Sequence, residues 1–440
     1  MIKKILPFIV TTLLGVISLN SCSSCRERKT WTVLPSEISQ SVSANLDTVN
    51  IFIDASKSMK GYIEGVSTDP DSNKYNLKRV VSTFVTETEK IKPSNCNLLC
   101  YAVKNSQPNP VNTKEFTGKI NDGKLFSDDA TLFGKMIATA VDKTCTNGVS
   151  IIFTDGIMSY PPSQSSRNVT DIENLKVEVK RAALKAKNKG QSVLIIKYNT
   201  DFLTKYYANC DNKIPKFGDK ESIMHHRPFY CFMIGSDSAI FSVYSRVHKT
   251  LKGNNGMYFC HANEPEEYDI ITCKEIHAIG VDDCNNNTIF VSTSMANKFP
   301  ETVDTIYMGI RSSLNSMIFF DLYVNGCETK IQNGLIQKVE PIKTTEMDPI
   351  KLEVDTVNAV YRIPLSPLRD IVTSKKSDDI IAFVPKQTIN SESSIFPDNT
   401  DKSSELEQKT FAFRFVTDAF MEAYEDNPTA LIKVYFKTTN

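Results

Sequence analysis

The stretch Val49-Asn50-Ile51-Phe52-Ile53-Asp54-Ala55-Ser56-Lys57-Ser58-Met59 decides how this chain reads. Val49–Ile53 is short, apolar and rich in β-branched and aromatic residues, the pattern of a buried strand. It stops abruptly at Asp54. Two hydroxyls follow, Ser56 and Ser58, with one residue between successive oxygen donors. Further along, Ser150–Gly156 repeats the plan: apolar Ile151, Ile152 and Phe153, then Thr154-Asp155-Gly156. Two buried strands that each end in an aspartate predict one site, built where strand ends meet loops. Its donors are all oxygen, which suits a hard divalent cation.

Around these two segments, strand-like and helix-like stretches alternate from Leu46 to about Lys252. Leu77, Val80, Val81 and Phe84 follow helical spacing, closed by Pro93. Leu98–Val103 reads as a strand. Leu132, Met136, Ala140 and Val141 predict a helix beginning near Thr131. Ile172, Leu175, Val179, Ala182 and Ala186 line one helical face, with Gly190 as a C-terminal cap. Val193–Tyr198 and Phe229–Ile234 are further strands, and Ala239–Val247 a further helix. Strands alternating with helices predict an α/β fold with a doubly wound, mostly parallel, Rossmann-like sheet flanked by helices. In such sheets ligands bind beyond the carboxyl ends of the strands. Asp54 and Asp155 both fall at such ends.

The pattern changes after Gly253. Ile306–Ile310, Met317–Val324, Tyr361–Leu365, Ile380–Val384, Phe411–Val416 and Leu431–Phe436 read as strands, and Asn325-Gly326 as a hairpin turn. A helical element is expected near Asp418–Tyr424. Lys386–Lys409 is polar and without periodicity, and reads as a long loop. Residues 253–440 are therefore expected to form a mostly β, sandwich-like C-terminal domain. With 440 residues, the chain is long enough for two or three domains.

The residues Asp54-Ala55-Ser56-Lys57-Ser58 resemble the Asp-x-Ser-x-Ser signature of von Willebrand factor A domains. Thr131, just before a helix in Asp128-Asp129-Ala130-Thr131, matches that family's later threonine, although alanine stands where many members have glycine. Asp155 matches its last aspartate. The resemblance spans residues 46–252. It implies a metal-ion-dependent adhesion site with Asp54, Ser56, Ser58, Thr131 and Asp155 as metal residues and Mg²⁺ or Mn²⁺ as the ion. Ser56, Ser58 and Thr131 would bind directly, and Asp54 and Asp155 largely through water. Neutral hydroxyls coordinate the ion without cancelling its charge. Mg²⁺ retains several waters, and one can give way to a carboxylate from a partner.

The N-terminus reads as a targeting segment. Lys3 and Lys4 precede the apolar run Ile5–Leu19, and Leu19-Asn20-Ser21-Cys22 resembles a bacterial lipobox. Residues 1–21 are then a lipoprotein signal peptide, Cys22 carries the lipid, and 22–45 form a polar tether. The expected place is the bacterial cell envelope, on the outer membrane and facing the periplasm. No stretch after residue 21 is long and apolar enough to span a bilayer.

Basic and acidic residues balance at 51 each, with no sustained basic run, so nucleic acid is not an expected partner. There are 11 cysteines. With Cys22 lipidated, the others could form disulfides in an exported protein or remain buried thiols. Cys96 and Cys100 on one strand would lie about 13 Å apart, too far to pair. Cys260, His261, Cys273, His277 and Cys284 lie close together, with a tolerable zinc spacing at Cys273 and His277. A disulfide or buried thiols is the plainer reading there. No Gly-x-Ser-x-Gly elbow is present, and neither serine of the signature begins a Ser-x-x-Lys motif.

The function expected is therefore non-enzymatic. A lipid-anchored adhesion or scaffold protein would capture an acidic residue of a protein partner through its metal. Two alternatives stand beside this: an exported metal-dependent hydrolase, and a structural scaffold whose metal site is dispensable.

Overall fold

The computed structural model describes residues 32–33, 46–64, 75–128, 132–156, 169–203, 223–252, 254–260 and 262, then a series of strands between 268 and 385, residue 410, and residues 413–425 and 432–439. The predicted signal segment, Cys22 and all of the tether except Thr32–Val33, which pair in parallel with Thr356–Val357, lie outside them, as do Met317–Val324, Asn325-Gly326 and Lys386–Lys409.

The first part is an α/β unit built on a seven-stranded sheet. In chain order its elements are β1 (Thr48–Asp54), α1 (Leu77–Ile91), β2 (Asn97–Lys104), β3 (Gln107–Val111), α2 (Thr113–Asn121), α3 (Phe133–Lys143), β4 (Gly148–Thr154), α4 (Val169–Asn188), β5 (Ser192–Leu203), β6 (Ile223–Gly235), α5 (Asp237–Leu251) and β7 (Gly256–Cys260). The strands lie side by side as β3-β2-β1-β4-β6-β5-β7. β1 is flanked by parallel neighbours, β2 and β4. The remaining pairs, β2 with β3, β4 with β6, β6 with β5 and β5 with β7, are antiparallel.

The sheet is thus mixed, with β2, β1, β4 and β5 running the same way. The α/β expectation holds, while the uniform winding stops at β4. Helix α4 carries the chain past one strand position, and β6 turns back into the gap. The long register of β5 against β6, from Ser192 opposite Gly235 to Leu203 opposite Ile223, fills it. Edge strand β3 carries Pro108 and Pro110. Proline removes a ladder donor and is tolerated at an edge, which explains why the sequence pattern hid this strand.

Helices cover both faces. Phe153 of β4 meets Phe84 of α1 edge-on at 5.1 Å. Phe232 of β6, paired with Ile152, points to the other face and meets Phe133 of α3 at 5.3 Å. Helix α1 packs beside α5 on the first face, and α3 beside α4 on the second. The central strands are buried on both sides: Val49, Ile51, Phe52, Ile53, Val149, Ile151, Ile152 and Phe153 are all fully buried. Burying each such side chain stabilises the fold by about 1.5–3 kcal/mol. Asn50 is a buried polar residue in the middle of this apolar run. Its amide donates to the Lys143 carbonyl at 3.1 Å and to Ser150 Oγ at 3.3 Å, which offsets its desolvation.

The same core takes in a distant piece of chain. Helix α6 (Phe413–Glu425) packs along α4. Phe413, Val416, Ala419, Phe420, Ala423 and Tyr424 are buried in the core. This corrects the reading of Phe411–Val416 as a strand, since Phe413 already begins the helix. Phe-Ala-Phe-Arg-Phe-Val alternates like a strand, but the spacing of Phe413, Val416 and Phe420 is helical, and burial follows that spacing.

Between residues 268 and 385 the described residues are strands. Ile279–Asp282, Asn285–Ser292, Cys327–Gln332 and Asp379–Pro385 join Ile432–Thr439 in a five-stranded sheet. Tyr268–Thr272, Thr305–Ser312, Glu340–Pro341 and Ala359–Pro364 form a four-stranded sheet. No helix among the described residues is long and apolar enough to cross a membrane.

Candidate metal centre

Parallel pairing of β1 with β4 brings Asp54 and Asp155 to the same end of the sheet. Ile53 stands opposite Phe153, so the two chains leave the sheet side by side. Beyond Asp54 the backbone is held on two sides. Ala55 N–H donates to the Val103 carbonyl at 3.2 Å, and the Ala55 carbonyl accepts from Ser127 and Asp128 N–H groups, each at 3.0 Å. Lys57 N–H returns a bond to the Asp128 carbonyl at 2.8 Å. A short 3₁₀ turn, Lys57–Lys60, then continues into Gly61–Glu64. Met59 anchors that turn in the core, and Tyr62 donates its hydroxyl to the Pro228 carbonyl at 2.7 Å.

Four of the five predicted metal residues are described, and the structure brings them together. Asp54 is buried. Its Oδ1 accepts from Ser56 N–H at 2.9 Å, and its Oδ2 accepts from the Thr154 hydroxyl at 2.9 Å. Ser58 Oγ donates to Asp155 Oδ2 at 2.5 Å, and the Ser56 and Ser58 hydroxyl oxygens lie 3.0 Å apart. Thr131 lies outside the described residues. The segment leading to it is fixed at Asp128, which bridges to Ser56 and whose carboxylate accepts a short bond from Asn105 N–H.

This donor set fits a small divalent ion. Neighbouring ligands on octahedral Mg²⁺, with bonds of about 2.1 Å, sit about 3.0 Å apart, and the two serine oxygens have that spacing. The Ser58 proton points to Asp155, which leaves oxygen lone pairs for a cation. Asp155 then acts on the hydroxyl as an outer partner that orients a ligand. Among the described residues no three His, Cys, Asp or Glu side chains gather as a metal group. The candidate set relies instead on hydroxyls, with two carboxylates behind them.

Three contributors were not assigned from sequence. The Thr154 hydroxyl donates to Asp54 and accepts from Gly156 N–H at 3.1 Å. Asp128 joins the segment before Thr131 to the Ser56 loop. Gly156 has a φ of +69°, a conformation that favours glycine. All three stand within or beside the quoted motifs, but their roles depend on contacts across the sheet.

The other cluster singled out lies almost wholly outside the described residues. Cys260 is buried in β7, while His261, Cys273, His277 and Cys284 lie outside the described residues. Cys96, Cys100, Cys145, Cys231 and Cys260 are not joined in disulfides. Burial raises the Cys100 thiol to about 11 and pushes Cys231 well above the usual thiol range.

No family model matches the chain, and no curated protein or solved structure matches it either.

Proposed function

We propose that this chain is a non-enzymatic, lipid-anchored binding protein of the bacterial cell envelope. Its α/β unit is of the von Willebrand factor A type and binds a partner protein through an exposed acidic residue. One observation carries the reading: Ser56 Oγ lies 3.0 Å from Ser58 Oγ, which donates to Asp155 at the neighbouring strand end. Ser56, Ser58 and Thr131 would hold Mg²⁺ or Mn²⁺, with Asp54 and Asp155 orienting the hydroxyls and waters around it. A bound ion would supply an open electrophilic position for a carboxylate.

The chain's own groups suit capture rather than bond cleavage. Both oxygens of Asp54 hold the loop and Thr154. Asp155 is engaged with Ser58. These carboxylates are already used as structural acceptors, leaving the electrophile as the open feature of the site. Anchoring through Cys22, with residues 22–45 as a tether, places the α/β unit in the envelope and off the membrane.

The test is calorimetric titration of Mg²⁺ and Mn²⁺, with Asp54→Asn alongside. A glutamate-bearing peptide is then added with and without chelator. Saturable metal binding lost in the variant, followed by metal-dependent peptide binding, supports the proposal. Metal affinity unchanged in Asp54→Asn rejects the site. Steady divalent-dependent hydrolysis of phosphate or sulfate esters, lost in Ser56→Ala, rejects the non-enzymatic reading.

A further inference from the structure

The C-terminal helix reaches the candidate metal site from behind. Phe413, its first residue, stacks on Tyr230 with ring centroids 3.7 Å apart and planes 10° from parallel. Tyr230 is the β6 partner of Thr154 in the sheet register. Its hydroxyl donates to Thr410 Oγ1 at 3.2 Å, tying down the residues just before the helix.

The two rings close over Gly156. A Cβ at that position would lie 2.7 Å from Phe413 Cδ2 and 2.9 Å from Tyr230 Cδ2. Gly156 therefore has no room for a side chain. Its N–H donates to Thr154 Oγ1, whose proton goes to Asp54. The residue between Thr154 and Gly156 is Asp155. The turn carrying that carboxylate is fixed by hydrogen bonds on one side and by the stacked rings on the other.

The rest of the helix is fastened firmly. Lys176 and Lys180 both pair with Glu422, the first through a short bond and the second at 3.1 Å. Lys187 donates to the Tyr424 carbonyl at 3.1 Å, at the helix C-terminus where a cation is favourable. Tyr424 donates its hydroxyl to the Gln191 carbonyl at 2.7 Å. Helix α6 thus completes the face of the sheet that carries the site. In sequence it stands between the strands of 268–385 and the strand Ile432–Thr439, so the β-rich part is joined to the α/β unit at β7 and again on both sides of α6.

We infer that Phe413 is a positioning residue of the metal centre, which holds the Thr154-Asp155-Gly156 turn so that Asp155 meets Ser58. This rests on the metal-site reading above and deepens it: the junction between the β-rich segment and helix α6 sets the affinity of the ion. Phe413 bears on the site through the ring of Tyr230 and the space above Gly156. It acts through Gly156 and Tyr230, as outer partners of metal ligands do elsewhere at a cost of about 10–100-fold in affinity when removed.

The experiment is Mn²⁺ titration of the full chain as wild type, Phe413→Ala and Phe420→Ala, with a melting temperature for each. Phe420 is an equally large buried ring on the same helix, against Phe232 at 5.9 Å. It lies about 10 Å further along the axis. Both variants should melt lower, but only Phe413→Ala should lose about 10–100-fold in Mn²⁺ affinity. Equal Mn²⁺ affinity in all three chains overturns the positioning role and leaves the metal site standing. Absence of Mn²⁺ binding in the wild type overturns both.

Hydrogen exchange on the wild type covers the case in which Phe413→Ala does not fold. Linkage requires that a helix which favours binding is itself favoured by the ion. Mn²⁺ should then slow exchange at residues 413–416 as well as at 54–60. Protection confined to 54–60 overturns the inference.

Discussion

Ser58 and Asp155 are 97 positions apart in the chain, yet Ser58 Oγ donates to Asp155 Oδ2 at 2.5 Å. The bond joins the loop after β1 to the turn after β4. Ser58 is half-buried, and its removal leaves no bulky cavity. Ser58→Ala should therefore shift the melting temperature little while lowering Mn²⁺ affinity by at least about tenfold. Calorimetry and a thermal melt on one preparation check this. A large loss of stability with unchanged affinity would make the bond a structural clamp only.

Asp54 separates two substitutions usually treated alike. It is 2% exposed and accepts from Ser56 N–H and the Thr154 hydroxyl. Asp54→Ala leaves both donors without that acceptor, at about 1–3 kcal/mol for each buried group. Asp54→Asn keeps an acceptor oxygen for one of them. Both should abolish metal binding, with the alanine variant unfolding at distinctly lower denaturant. Equal midpoints would show that water replaces the carboxylate.

The site was more legible in the sequence than the sheet was. An apolar run ending in Asp54, with Ser56 and Ser58 at alternate positions, announces itself locally, as does Thr154-Asp155-Gly156. What fixes these residues in space is not local. Thr154 matters because parallel pairing sets it beside Asp54, and Gly156 because Phe413 arrives from more than 250 residues away. The helical element expected near Asp418–Tyr424 is part of α6, but the start of that helix was hidden by the strand-like alternation of its first residues, and β3 by its prolines. The antiparallel return of β6 between β4 and β5 leaves no trace in either strand, since both are apolar runs that suit either direction.

The polar pocket under β1 should be costly to disturb. Ser150 is fully buried, accepts from Thr144 Oγ1 at 2.7 Å and donates to the Ala140 carbonyl at 3.1 Å. Asn50 also donates to it. Ser150→Ala removes one acceptor and one donor at once, so a loss of about 1–3 kcal/mol is expected. Chemical denaturation measures it, and Mn²⁺ affinity should stay unchanged because the pocket lies at the far end of the strands. A shift under about 0.5 kcal/mol, the scale of ordinary surface changes, would show that the network relaxes around the gap.

Thiol chemistry offers an independent check on the packing. Among the described cysteines Cys145 is exposed, while Cys96, Cys100, Cys231 and Cys260 are buried. Burial holds the Cys100 thiol at about 11, so its reactive thiolate is scarce at neutral pH. A maleimide should label Cys145 rapidly in the native protein and the other four only on unfolding. Mass mapping after brief labelling decides it. Early modification of Cys231 or Cys260 would mean that the β6 and β7 side of the sheet opens readily.

His248 gives the fold a pH dependence of defined sign. It lies in the last turn of α5, with Nδ1 3.0 Å from the Tyr244 hydroxyl, and burial holds its pKa below the ordinary 6.5. The depressed value means that the folded chain favours the neutral ring. At pH above 6.5 both states carry neutral imidazole, and this contribution to stability is fully present. As the pH falls below 6.5 the unfolded chain takes up the proton first, so stability declines until the folded pKa is passed. The helix C-terminus works against this by favouring a cation, yet burial outweighs it here. Denaturation midpoints taken between pH 7.5 and 5 should therefore fall less in His248→Gln than in the wild type. Parallel curves for the two chains would show that the imidazole is solvated well enough to ionise alike in both states.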